Sequence, residues 1–131
     1  MLFTALVHTH LEFGNVAWVP RFPKDGLLIQ GVQRHATKLV PDLTELDYSK
    51  RLKSMDLPSM KYRRERGDTI ETCKYIHGLY SVNNSLLKTD VETVTRGHKH
   101  KLKKLGCCTS LRQKQFAFRV VDSWNLLRIA L

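Results

Sequence analysis

A chain of 131 residues has room for one domain at most, or for part of one. Its 42 % hydrophobic content can fill a modest core and excludes compositional disorder. A formal charge of +10 favours an anionic partner, either a nucleic acid or an acidic membrane surface. The surplus is one-sided: residues 1–50 hold five cations and five acids, while residues 51–131 hold seventeen cations and seven acids.

The apolar run at residues 2–7 has no basic stretch before it and is soon interrupted by His8, His10 and Glu12. It is too short to span a bilayer and does not read as a signal peptide. A helix over residues 2–19 is predicted instead, with Leu2, Leu6, Phe13 and Ala17 joined by Phe3, Val7 and Leu11 on a broad apolar face. Pro20 and Pro23 should end it. Asp25 is a candidate N-cap for a helix over 26–40, whose inward stripe would be Leu28, Val32, Ala36 and Leu39, with Gln30, Arg34 and Lys38 elsewhere. Pro41 closes it.

A short helical turn over 48–55 would turn Tyr48, Leu52 and Met55 inward. Ser59 is the expected cap of the longest helix, which runs to about residue 77 with Met60, Gly67, Ile70, Cys73 and His77 at helical spacing. Gly78 and residues 81–85 mark its end. Residues 86–108 give no regular element, although Val91, Thr93 and Thr95 alternate weakly as a strand or an extended linker would. Thr109 or Ser110 can cap a last helix, where Phe116, Val120, Trp124 and Leu127 recur at i, i+4, i+8 and i+11. That pattern is still running at Leu131, as in a truncated helix or fragment. The fold class expected is mostly α: helical over 1–80, a basic loop or linker over 81–108, and a truncated helix over 109–131. Trp18, Gly67, Phe116, Val120 and Trp124 are the expected structural positions.

Cys73, Cys107 and Cys108 are odd in number and irregular in spacing, which argues against a secreted disulfide framework and for an intracellular site, cytoplasmic or nuclear. His98, His100, Cys107 and Cys108 lack the paired spacing of a zinc site, and His8 and His10 do no better, so no metal is expected. Asp42, Glu45 and Asp47 are scattered acids without the clustering that two-metal polymerase chemistry needs. No nucleophile elbow, glycine-rich phosphate loop or metalloprotease motif is present, so no catalytic residue is assigned.

The strongest chemical signal lies between Thr93 and Val121, where Arg96, Lys99, Lys101, Lys103, Lys104, Arg112, Lys114 and Arg119 accompany no acid. Such a cluster repels itself unless solvated or matched by phosphates. Leu102 and Leu105 interrupt it, as in a segment that packs on something. Arg63 and Arg64, with Arg66, stand near the start of a helix, where the dipole disfavours cations; they are candidates for phosphate contact or for pairing with Glu65, Asp68 or Glu71.

Five stretches carry a family resemblance: residues 11–18 (LEFGNVAW), 32–41 (VQRHATKLVP), 62–68 (YRRERGD), 95–98 (TRGH) and 119–125 (RVVDSWN). In this order the chain resembles the post-catalytic, C-terminal part of non-LTR retrotransposon reverse transcriptases of the jockey and chicken-repeat type. The resemblance implies a helical thumb and connector beside the template–primer duplex, in an RNA-directed DNA polymerase whose palm and fingers lie elsewhere. It also implies magnesium for the whole enzyme and no cofactor in this chain, because the Tyr-x-Asp-Asp palm signature is absent. The chain departs from the family at His8-Thr9, where Arg-Pro is usual, and at Gly26, where isoleucine is usual. The expectation is therefore a non-catalytic piece that contacts an RNA or DNA duplex, away from any membrane. The alternative is a stand-alone helical module that binds nucleic acid or protein.

Overall fold

The computed structural model describes residues 3–81, 86–90 and 100–127. Among these residues lie a π-helical turn, Phe3–Val7, a 3-10 turn, Pro41–Leu43, and six α-helices. The helices are α1 (His8–Glu12), α2 (Pro23–Lys38), α3 (Tyr48–Ser54), α4 (Met60–Ile76), α5 (Ser110–Gln113) and α6 (Phe116–Leu126). The extended pairing described is one antiparallel bridge, Thr89 to Leu102. The fold is mostly α. The chain forms two compact units, Met1–Asn15 with Pro20–Arg66 and Val16–Val19 with Gly67–Leu131, the division falling inside α4.

The first unit corrects the expected helix over 2–19, which stops at Glu12. Phe13 leaves the helix with ψ 128°, and Gly14 takes φ +65°, a conformation that glycine adopts without a Cβ penalty. Phe13 and Trp18 are consequently exposed, so Trp18 is not the core residue expected of it. Pro23 opens α2 instead of closing its predecessor: at the first helical position its missing N–H costs nothing, and Phe22, not Asp25, is the N-cap.

The face that α2 buries is the second correction. Gln33 and Thr37 are fully buried, whereas Leu28 (72 % exposed), Val32 (42 %) and Leu39 (82 %) point outward. Polar burial is tolerable here because the groups are bonded. Tyr48 donates its hydroxyl to Gln33 Oε1 at 3.0 Å, and Gln33 Nε2 donates to the Pro58 carbonyl at 3.1 Å and lies 3.4 Å from His8 Nε2. Arg51, also buried, donates from Nε to Thr37 Oγ1 at 3.3 Å and from Nη1 to the Leu46 carbonyl at 2.5 Å. Asp47 caps α3 by accepting from the Ser49 amide, and Ser59 caps α4 as expected by accepting from the Tyr62 amide.

The second unit is built on apolar packing. Leu87, Leu102, Phe116, Val120, Val121 and Trp124 are its buried cluster, with Val16, Tyr75, Ile76 and Ala117 packed against it. The stripe expected on the last helix is therefore present at Phe116, Val120 and Trp124, while Leu127 falls at the C-cap. Thr109 caps the short α5, and α6 starts afresh after Gln115. Gly78 at φ +68° ends α4: its amide bonds the Tyr75 carbonyl and the Leu79 amide reaches the Lys74 carbonyl, the paired bonds of a glycine-closed helix end.

Candidate nucleic-acid interface

Several of the basic residues singled out in the sequence are occupied by the fold. Arg63 forks onto the Glu12 carboxylate through Nε and Nη2. Arg64 is buried, its Nε donating to Asn15 Oδ1 at 2.8 Å while Asn15 Nδ2 donates to the Arg64 carbonyl at 2.9 Å. The carboxylate that holds Arg63 comes from α1, and Arg64 is held by the side-chain amide of Asn15.

Arg119 is similarly committed. Its Nε and Nη2 each lie 2.8 Å from a different oxygen of Asp68, a two-pronged pair whose side chains are mostly buried. Nη1 and Nη2 also donate to the Lys114 and Val16 carbonyls. Arg63, Arg64 and Arg119 thus act as struts within their own units, and a phosphate contact by any of them would have to displace these bonds. Gly67 is half-buried on α4.

What remains exposed is organised by α6. Trp124 Nε1 donates to the His100 carbonyl at 2.7 Å. Asn125 takes both backbone groups of Leu102, its Oδ1 accepting from the amide and its Nδ2 donating to the carbonyl, each at 2.9 Å. The side chain of Asn125 stands where a neighbouring strand would, and it fixes the segment that follows residue 100. On the other edge of that segment the Asp90 amide donates to the Lys101 carbonyl and the Lys103 amide to the Lys88 carbonyl, both at 2.8 Å.

This register sorts the lysines. Extended residues alternate in direction, and Leu102 is buried toward α6. Lys104, two residues on, shares that side and reaches Asp122 at 2.7 Å. Lys101 and Lys103 lie on the opposite side, where Lys103 faces Lys88 directly across the pairing. Lys88 and Lys103 are both exposed, and neither joins an ion pair among the described residues. Like charges placed opposite one another across paired strands repel; Lys101 faces Asp90 at the neighbouring pair, so the positive spot is Lys88 with Lys103.

Lys88 stands apart from the run of cations in the sequence, and only the pairing register brings it to Lys103. Arg112 and Lys114 are exposed in the same unit, and the Arg112 guanidinium lies 5.3 Å from the Phe118 ring centre. Arg96 and Lys99 lie outside the described residues, as do His98 and the Val91, Thr93 and Thr95 alternation.

Among the described residues no group of three His, Cys, Asp or Glu side chains converges where a metal ion could sit, and no helix is long and apolar enough to cross a membrane. No family model matches the chain, and neither a curated protein nor a solved structure is similar to it. With no match in any of the three, the identification as a reverse transcriptase or transposable-element product is withdrawn. The short stretches that suggested it contain the residues that hold this fold: Asn15, Gln33, Arg63, Arg64, Asp68, Arg119, Trp124 and Asn125.

Proposed function

We propose that this chain binds nucleic acid through its phosphate backbone, with Lys88 and Lys103 as the principal contacts. The reading rests above all on the juxtaposition of Lys88 and Lys103 across a pairing that α6 clamps in place. A phosphodiester between them would relieve the repulsion that the fold otherwise leaves standing, and would draw on the excess of cations over acids in residues 51–131. Few aromatics accompany these lysines, and Phe116 is buried, so phosphate contact outweighs base stacking. A helical body that grips a duplex by its backbone would serve in the manner of a thumb or connector, without sequence preference and without chemistry of its own.

The test is a fluorescence titration of a labelled DNA duplex and an RNA–DNA hybrid at several salt concentrations. Four neutralised phosphates give a log–log salt slope of about −3.6, and a loss of affinity on the order of a hundredfold over a fourfold rise in salt. Replacing Lys88 and Lys103 together with glutamine should flatten the slope to about −2 and weaken binding to unrelated sequences alike. Unchanged affinity and slope in that variant would remove the proposal.

A further inference from the structure

The outward face of α2 is exposed and largely apolar. Leu28, Val32, His35 and Leu39 follow one another at i, i+4, i+7 and i+11, and all four are exposed. This is the spacing of a helix-pairing seam, and at 1.5 Å per residue it is about 16 Å long. Rolling α2 to bury the leucines would pull Gln33 away from Tyr48, Pro58 and His8, and Thr37 away from Arg51. The seam is therefore held outward by the polar bonds beneath it. Gly31 lies beside it, and nothing stands within 4 Å of where its Cβ would be, so a second helix can approach closely.

Charge decides what can occupy the seam. Lys24 and Lys38 are exposed along one edge, Arg34 lies further round, and Asp25 is the only acid of α2. A second copy of this chain laid antiparallel on the seam would bring the lysine edge against its own counterpart. An acidic helix would bring carboxylates against these lysines. We propose that this face docks an amphipathic helix of a protein partner, its apolar residues filling the Leu28–Val32–Leu39 seam and its carboxylates set against Lys24 and Lys38.

The experiment uses the whole chain and two fluorescein-labelled synthetic helical peptides of about four heptads, with leucine at the seam positions. One carries glutamate at the flanking positions, which also discourages it from pairing with itself, and the other carries lysine. The glutamate peptide should bind at least tenfold more tightly than the lysine peptide. A Leu28→Ser/Leu39→Ser variant should lose at least tenfold in that affinity with an unchanged circular-dichroism spectrum, since both side chains are exposed. Lys24→Glu/Lys38→Glu should invert the preference between the peptides. Equal binding of the two peptides, or binding of neither, would overturn the proposal. So would self-association in sedimentation, or nucleic-acid binding, that disappears in the double-serine variant; these results would assign the face to a second copy or to nucleic acid.

Discussion

The two units of this chain bury opposite chemistry. In the first, the most deeply buried side chains besides Met60 are polar, namely His8, Gln33, Thr37, Arg51 and Arg64, and leucines of α2 lie outside. In the second, Leu87, Leu102, Phe116, Val120, Val121 and Trp124 form an apolar cluster; Thr72 is buried with its hydroxyl donating to the Asp68 carbonyl at 2.7 Å, and the polar groups of Asn125, Arg119 and Asp68 tie the borders. Apolar burial tolerates small shifts because it is non-directional, whereas a buried hydrogen-bonded set is stable only while every member is satisfied. The first unit should therefore respond sharply to single polar deletions and to pH, and the second to loss of volume.

The largest effect should come from Trp124→Ala. It removes a buried ring and the bond to the His100 carbonyl, and should cost about 3–5 kcal/mol, read by urea unfolding. Next is Gln33→Ala, which leaves the Tyr48 hydroxyl and the Pro58 carbonyl without this partner and should cost about 2–4 kcal/mol, with the loss of amide protection confined to the first unit. Replacing Gln33 with leucine should fare no better, which separates lost bonding from lost volume.

A smaller contrast lies at two helix ends of the same design. Asp56 holds φ +51° after α3, with its amide on the Lys53 carbonyl and the Leu57 amide on the Leu52 carbonyl, where the second unit uses Gly78 after α4. Asp56→Gly should raise stability by up to about 1 kcal/mol, and Gly78→Ala should lower it by about 1–2 kcal/mol, both read as shifts in Tm. Smallest of all, Lys104→Gln breaks an exposed pair with Asp122 and should change stability by less than about 1 kcal/mol.

This contrast also explains what was legible in the sequence. Helical periodicity marks apolar faces, so the Phe116–Val120–Trp124 stripe was readable, as was the packing of Leu102 within a basic run. The same logic assigned α2 the wrong inward face, since Gln33 and Thr37 read as surface residues until Tyr48, Pro58 and Arg51 are brought beside them. Pro23 reads as a terminator because proline disfavours a preceding helix, yet it is equally at home in a first turn. Lys88 became part of the candidate site only through its register with Lys103, a long-range property with no local signal. The arginines at 63, 64 and 119 attracted attention by charge, and their carboxylate and amide partners are 49–51 residues away.

The sharpest separation of the two units is their response to acid. Burial, and then the Arg63 charge, push the His8 imidazole below its usual 6.5, outweighing the opposing pull of Glu12. The unfolded chain therefore takes up a proton on this residue that the folded chain resists, and the first unit loses stability as pH falls from about 6.5. Protonation would also set an N–H of the imidazolium against the Gln33 Nε2 donor. Native-state hydrogen exchange at pH 7.5 and pH 5, corrected for intrinsic rates, tests this directly. Amides of residues 33–38 should lose more protection than those of residues 120–124, and a His8→Gln variant should abolish the difference. Parallel loss of protection in the two segments, or a difference that survives in that variant, would contradict the account of two cores stabilised by different forces.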